Sequence, residues 1–183
     1  MHQPFDPMVI TTQEQLQMMA ASIAVEIIEF PPDTDCALDE VLETLLYHIN
    51  HTYQLNRSLD SEVLMAAGPI EAHLREIAYC SLGLLILFRH QTFDEVTVGK
   101  LIMDITNLLW RKNQDYGHSW SRQGICGVLV RISDKAHRVA HLLQADALVD
   151  ESIEDTLRDM VGYSILGLIY LDVHAAKEQA RVV

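Results

Sequence analysis

Residues 70–88 read IEAHLREIAYCSLGLLILF, and residues 153–171 read IEDTLRDMVGYSILGLIYL. Seven of the 19 aligned pairs are identical at a constant offset of 83 positions. In both stretches apolar residues recur at the spacing of one helix face. Unrelated amphipathic helices also share apolar positions, but here the charges of Glu71 and Arg75 recur as Glu154 and Arg158. We interpret this as a duplication that produces two packed three-helix units.

The rest of the chain supports an all-α fold, a helical bundle of about six helices. No stretch alternates cleanly at period two, and glycine and proline are few. We expect a single domain in which residues 1–92 form a scaffold-like first repeat and residues 93–183 a ligand-binding second repeat. A shorter helical piece should run from Ser61 to Gly68, and a loop should span 114–120. The long helices are predicted at about 12–29, 38–55, 69–89, 94–113, 122–143 and 150–174.

Composition and charge restrict the partners. The net charge of −13 argues against binding to duplex nucleic acid. The most apolar run, residues 81–88, is too short to span a membrane, and no signal peptide is recognisable. Cys36, Cys80 and Cys126 are few and widely spaced, so we expect reduced, buried thiols. We expect a cytoplasmic protein that forms homo-oligomers.

The basic residues concentrate in one segment. Between Arg111 and Arg138 there are six basic and two acidic residues, within a chain that is strongly acidic overall. The fifth helix should carry an apolar stripe that includes Ile125, Val128, Leu129 and Ile132, with a polar stripe opposite. Gly127, one turn before the polar stripe, would leave room for a ligand. A solvated face with internal ion pairs is the alternative to an anion site. The polar stripe consists of Arg131, Asp134, Lys135 and Arg138.

The predicted loop after the fourth helix is rich in aromatic and polar groups, as binding loops often are. We expect Lys112 and Asp115 to contact a ligand there, with Tyr116 or Trp120 stacking on a base. The alternative is that Gly117 ends the helix and Trp120 packs in the core.

Acidic residues open the sixth helix. For Asp150 and Glu151 compensation of the helix dipole is a sufficient explanation. Asp155 and Asp159 are four positions apart on one face and could hold Mg²⁺ together with phosphate oxygens, with Glu154 beside them. Glu154 should be partly buried and needs a partner, either Arg158 or a residue of the fifth helix.

Three blocks in this order carry a family resemblance: KNQDYGHSW (112–120), GVLVRISDKAHR (127–138) and DESIEDTLRD (150–159). Over about residues 105–172 the chain resembles the nucleotide-modification-associated domain found in many phage genomes. The resemblance implies a role in nucleotide metabolism without a settled catalytic mechanism, and for a phage-encoded protein it implies the host cytoplasm as the location. The helix-borne acids also resemble the all-α nucleoside triphosphate pyrophosphatases of the MazG-like and dimeric dUTPase group. Glu40 and Glu43 could be their first acidic pair, but Asp155 and Asp159 depart from the usual later spacing.

These observations lead to one leading hypothesis and two alternatives. The first is a phage-type nucleotide-binding protein, possibly with Mg²⁺-dependent hydrolysis of a nucleoside phosphate, as in a pyrophosphatase or phosphohydrolase. The second is a non-catalytic protein that sequesters a nucleotide, such as a signalling nucleotide of host defence. The third is a structural or assembly protein. Phosphate contacts are expected from Lys112, Arg131, Lys135 and Arg138, with Asp134, Glu154, Asp155 and Asp159 binding Mg²⁺ or orienting those cations.

Overall fold

The computed structural model describes residues 11–31, 38–58, 67–89, 91–142 and 152–182. These ranges form six α-helices and one 3₁₀ helix, and no strand occurs within them. The predicted all-α fold with about six helices is therefore confirmed. The helices are α1 Gln13–Glu29, α2 Leu38–Ser58, α3 Ala67–Phe88, α4 Glu95–Tyr116, the 3₁₀ helix Ser119–Gln123, α5 Gly124–Leu142 and α6 Ile153–Val182.

Local capping explains where several helices begin and end. Thr12 caps α1 through a capping box, in which Thr12 Oγ1 accepts from Gln15 N and Gln15 Oε1 accepts from Thr12 N. Asp94 caps α4 by accepting from the backbone of Val96 and Thr97. The hydrogen bond from the Thr92 side chain, followed by those from Thr97 and Val96, lowers the pKa of Asp94 to about 2. The helix predicted to start at Pro69 begins two residues earlier. The predicted piece Ser61–Gly68 lies largely outside the described residues.

The centre of the bundle is the pair α3 and α6, which carry the repeated sequence and pack most extensively on each other. α2 packs on α3 and α5 packs on α6, while α1 contacts α4 and α2 contacts α5. Each helix of the first half thus contacts its proposed counterpart in the second half. This is the packing that a duplication would produce, and the duplication itself stays an interpretation of the sequence.

The shared charges of the repeat form intrahelical pairs. Arg75 Nε lies 3.3 Å from Glu71 Oε1 in α3, and Arg158 Nη2 lies 3.9 Å from Glu154 Oε2 in α6. Such pairs four residues apart stabilise a helix modestly. The matched serines, Ser81 and Ser164, are both fully buried. Equivalent positions of the two stretches therefore occupy similar environments.

Two sequence predictions about burial have different outcomes. The apolar stripe of α5 is buried, including Ile125, Val128 and Ile132. The cysteine prediction holds for Cys80, where burial raises the thiol pKa to about 12, but it is wrong for Cys126, which is exposed. Cys126 follows Ile125 directly and is rotated off the buried stripe. Cys36 lies outside the described residues.

Across the described ranges, none of the helices is long and apolar enough to cross a membrane.

Candidate functional site

A cleft of about 250 Å³ lies between the C-terminal half of α4, the 3₁₀ helix and α6, and α5 contributes Arg131 to it. The apolar part of its lining comes mainly from α4 and α6, which also supply the core behind it. Its polar and aromatic lining residues are Lys112, Asn113, Tyr116, Ser119, Trp120, Arg131, Arg158, Asp159 and Tyr163.

The charges of the cleft oppose those of the whole chain. Lys112, Arg131 and Arg158 line it from three different helices, and Asp159 is the single carboxylate among its lining residues. The chain as a whole carries a net charge of −13. A cleft with an excess of cations in an acidic protein attracts anions to that position selectively.

Asp159 joins two lysines from different helices. Lys112 Nζ donates to Asp159 Oδ1 at 2.7 Å, and Lys135 Nζ lies 2.9 Å from Asp159 Oδ2. Lys112 belongs to α4 and Lys135 to α5, so the carboxylate of α6 connects three helices. The Asp159 and Lys135 side chains are about one-fifth exposed, which strengthens their attraction relative to a pair at the surface.

Arg131 is held at the edge of the cleft by its own helix. Its Nη1 donates to the backbone carbonyl of Gly127 at 2.9 Å, and its guanidinium lies 6.0 Å from the centre of the Tyr163 ring. A Cβ atom added to Gly127 would lie 2.5 Å from Gln123 Cβ and 3.1 Å from Arg131 Nη1. The space predicted beside Gly127 therefore accommodates the side chains of Gln123 and Arg131.

The aromatic segment after α4 differs from the predicted loop. α4 continues through Tyr116 and ends at Gly117, whose φ of 55° is in the left-handed region. His118 has a φ of 54°, and the 3₁₀ helix follows at once. Trp120 is 6% exposed and belongs to the core, while Tyr116 is exposed at the rim of the cleft. The alternative with a glycine cap and a buried tryptophan is therefore correct, although Trp120 also lines the cleft.

Within the part of the chain that the structure describes, the indole N–H of Trp120 is buried without a hydrogen-bond partner. The ring of Trp120 meets that of Tyr170 edge to face, with centroids 6.5 Å apart. A buried indole N–H normally finds an acceptor, so a ligand acceptor in the cleft would remove a desolvation cost here.

The acidic residues at the start of α6 bond to basic or capping groups. Glu154 Oε2 accepts from Arg89 Nε at 2.9 Å and from Arg89 Nη2 at 2.8 Å. Asp155 accepts from Ser152 Oγ and from Arg158 Nη1, and these bonds, with that of Ser152 first, lower its pKa. The partner of Glu154 is thus Arg89, at the end of α3, which the sequence prediction did not include. Arg158 is a distant second at 3.9 Å.

These contacts bear on the predicted Mg²⁺ site. Mg²⁺ takes oxygen ligands in a near-octahedral arrangement. Here Glu154 pairs most closely with Arg89, Asp155 pairs with Arg158, and Asp159 pairs with Lys112 and Lys135. Among the described residues, no three His, Cys, Asp or Glu side chains are grouped so that they could hold a metal ion. This donor set does not fit a shared Mg²⁺ ion, and Mg²⁺ binding stays a prediction.

The predicted ligand-binding residues separate into three groups. Lys112, Tyr116, Trp120 and Arg131 line the cleft. Lys135 reaches its edge through Asp159. The others lie elsewhere: Asp115 and Asp134 are exposed, and Arg138 is half-buried on α5 outside the cleft lining.

Sequence reasoning missed four polar residues of the cleft, Asn113, Ser119, Arg158 and Tyr163. Tyr163 follows Asp159 by four positions, so the helix period places both on one face and could have indicated it. Arg158 was considered only as a partner of Glu154. Asn113 is buried and donates to Thr11 Oγ1 at 3.4 Å, a contact across 102 positions that no local pattern predicts.

Comparison with known proteins adds one finding. Residues 112–171 match the family model described as nucleotide modification associated domain 1. No curated protein and no solved structure matches the chain significantly. The second resemblance, to the MazG-like group, is not shown.

The matched segment begins at Lys112 and contains every polar and aromatic residue of the cleft. The residues that fall outside it, Ile105, Leu108 and Leu109, are apolar. The resemblance predicted from the three sequence blocks is therefore confirmed, and residues 112–171 of this chain are similar to the nucleotide modification associated domain 1 family.

Proposed function

We propose that this protein binds a nucleotide in the cleft between α4, the 3₁₀ helix and α6. The single observation that carries the proposal is the combination of three cationic side chains with three aromatic side chains in one cleft. The cations are Lys112, Arg131 and Arg158, and the aromatic residues are Tyr116, Trp120 and Tyr163.

The cations would hold phosphate oxygens. Arginine forks match the geometry of phosphate oxygens, and lysine supplies a point charge. Arg131 already donates Nη1 to Gly127, which fixes its guanidinium while other N–H groups remain for a ligand. Lys112 is less than half exposed and is oriented by Asp159. Preorganised cations lose less side-chain entropy when an anion binds.

The aromatic residues would contact the base or ribose. Tyr116 at the rim is exposed and can stack on a base, and Trp120 offers its buried indole N–H as a donor. The volume of about 250 Å³ is slightly below the usual range for small-molecule sites, which favours a mononucleotide over a larger dinucleotide.

The similarity to the nucleotide-modification family supports the same conclusion, because the matched segment coincides with the polar part of the cleft. The proposal includes no hydrolytic step, because Glu154, Asp155 and Asp159 contact basic side chains and the described residues group no three metal ligands. Binding without chemical change, as in a sequestering protein, needs only the cationic and aromatic groups described.

The test is calorimetric titration of the purified protein with nucleoside mono-, di- and triphosphates, with and without Mg²⁺. We expect about one ligand per chain. Arg131→Gln should weaken binding at least tenfold, since a charge-assisted hydrogen bond contributes roughly 1.5–3 kcal/mol. Arg122→Gln is the matched control, because Arg122 is exposed and does not line the cleft. If no nucleotide binds, or if both variants behave alike, the proposal is wrong.

The fate of the ligand separates sequestration from hydrolysis. After titration the complex is denatured and the released ligand is identified by mass spectrometry. Intact nucleotide supports a binding protein, whereas accumulation of a nucleoside phosphate of lower phosphate number supports the hydrolytic alternative. Failure of every nucleotide to raise the melting temperature would favour the structural or assembly role.

A further inference from the structure

A cluster of imidazole rings lies between α2 and α3, in the half of the chain that the cleft does not use. His48 Nδ1 is 2.8 Å from His73 Nδ1, although the two residues are 25 positions apart. His51 is three positions after His48 on the same helix, and its ring centroid is 5.7 Å from that of His73. Two imidazoles from different helices are therefore in direct contact, and a third lies beside them.

The short contact constrains the protonation of the pair. A neutral imidazole has one N–H donor and one nitrogen lone pair. Two Nδ1 atoms can approach this closely only if one donates and the other accepts, and two protonated rings would repel each other. Burial, and then the neighbouring histidines, lower the pKa of both His48 and His73, while Glu76 opposes this for His73. Both rings are thus neutral at neutral pH, which is the form that ligates metals.

We propose that His48 and His73 bind a divalent transition-metal ion through their Nδ1 atoms. The proton that lies on one Nδ1 moves to Nε2 of the same ring, so both lone pairs become available without a change in charge. The described residues group no third side-chain ligand with this pair, so water completes the coordination.

The geometry is close to that required. Zinc–imidazole bonds are about 2.0–2.1 Å long, so two nitrogens on one tetrahedral ion lie about 3.3 Å apart. The two Nδ1 atoms need to separate by only about half an ångström from their 2.8 Å contact, a change that side-chain rotation supplies. Imidazole nitrogens select Zn²⁺, Ni²⁺, Cu²⁺ or Co²⁺ over Mg²⁺ and Ca²⁺. This site is therefore chemically distinct from the Mg²⁺ site predicted at the acids of α6.

The test uses the full chain after removal of metals with a chelator. Calorimetric titration with Zn²⁺ and Ni²⁺ should show one ion per chain, whereas Mg²⁺ should give no heat. His48→Gln and His73→Gln should each weaken binding at least tenfold. His137→Gln and His141→Gln, at exposed positions of α5, are matched controls that should leave it unchanged. Absence of binding to the wild type, or equal binding by all four variants, would overturn the proposal.

A second measurement does not depend on the variants folding. In long-range ¹H–¹⁵N spectra of the wild type, Zn²⁺ should move the Nδ1 resonances of His48 and His73 from their metal-free positions. Movement of other histidines only, such as His137 or His141, would also overturn the proposal.

Discussion

Lys112 Nζ lies 2.7 Å from Asp159 Oδ1, although 47 positions separate the two residues in sequence. The contact connects the last two turns of α4 to the second turn of α6, and both residues line the same cleft. Asp159 stands between two ammonium groups, where a ligand phosphate would also be stabilised. The carboxylate therefore orients the cations and at the same time competes with an incoming anion for them.

Removal of Lys112 should weaken nucleotide binding more than removal of a lysine elsewhere on the same helix. We expect Lys112→Gln to raise the dissociation constant about tenfold, because one charge-assisted bond to phosphate is lost. Lys100 lies on α4 but is exposed and does not line the cleft, so Lys100→Gln is the control. Titrations of both variants at low and high salt check this, and an equal loss in the two would indicate only a general charge effect.

Replacement of Asp159 should separate the two roles of its carboxylate. In Asp159→Asn the free energy of unfolding should fall by roughly 1–2 kcal/mol, because Lys112 and Lys135 lose their charged acceptor. Affinity for a nucleotide should rise about threefold to tenfold, since repulsion between a carboxylate and a phosphate a few ångströms apart contributes on the order of 1 kcal/mol. Chemical denaturation and calorimetric titration measure the two effects.

Asp134→Asn changes the net charge equally and is the control, because Asp134 is exposed outside the cleft. A loss of nucleotide binding in Asp159→Asn alone, and only when Mg²⁺ is present, would contradict this prediction and support the magnesium-dependent alternative.

The close approach of three helices at Gly167 should make this position sensitive to an added methyl group. A Cβ atom there would lie 2.9 Å from Leu74 Cδ1 of α3 and 3.2 Å from Val128 Cγ1 of α5. Leu74 and Val128 are fully buried, so they cannot move aside freely. Gly167→Ala should lower the free energy of unfolding by about 1–3 kcal/mol, as overpacked cores do.

A methyl group added at Gly99 should have the opposite effect on stability. Gly99 is exposed in the second turn of α4, and an added Cβ atom would meet nothing within 4 Å. Gly99→Ala should raise the free energy of unfolding by roughly 0.5–1 kcal/mol through helix propensity. Urea denaturation of both variants measures the two changes. If the free energy of unfolding rises in both, the packing at Gly167 is looser than described.

The histidine pair should make stability depend on pH. The pKa values of His48 and His73 are below 6.5 in the folded protein, so between the folded and unfolded values the unfolded chain binds more protons. The free energy of unfolding should therefore fall as the pH decreases below about 6.5, and this loss should end below the folded pKa values. Denaturation curves from pH 8 to pH 4 measure it.

The double variant His48→Gln/His73→Gln removes both titrating groups and should show a smaller decrease over the same interval. The carboxylates titrate equally in both proteins and cancel in the difference. An unchanged pH profile in the double variant would mean that the pair does not contribute. Since no metal is added, this measurement is independent of the metal site proposed above.

Local sequence signals predicted the elements of the fold well. Thr12 and Asp94 have short oxygen-bearing side chains directly before helical segments, and both cap helices. The apolar stripe of α5 is buried because its residues recur at the helical period. Helix ends were predicted less accurately where no helix breaker follows. α4 continues through Tyr116, which was expected in a loop, and Gly117 caps its end.

Within the site, the sequence indicated individual residues better than their contacts. It selected Lys112, Tyr116, Trp120 and Arg131, all of which line the cleft, from the local excess of cations and aromatic rings. It also grouped Asp134 and Arg138 with them, because the helical period places both on one face of α5 with Arg131. The period does not predict how much of that face a neighbouring helix covers. It assigned Glu154 a partner nearby, whereas the bonded residue is Arg89, 65 positions away.

What the sequence by itself determined was the all-α class, the caps, the buried stripe of α5, the repeated stretches and the family resemblance of residues 112–171, confirmed by the family match. These properties depend on residues a few positions apart, or on sequence patterns that can be compared with other sequences directly. Only the tertiary structure decided that Asp159 pairs with Lys112 and Lys135, that Glu154 pairs with Arg89, and that His48 meets His73. These contacts depend on how the packed helices are rotated and on the angles at which they cross. Many weak side-chain contacts together determine that arrangement, and no local sequence pattern encodes it.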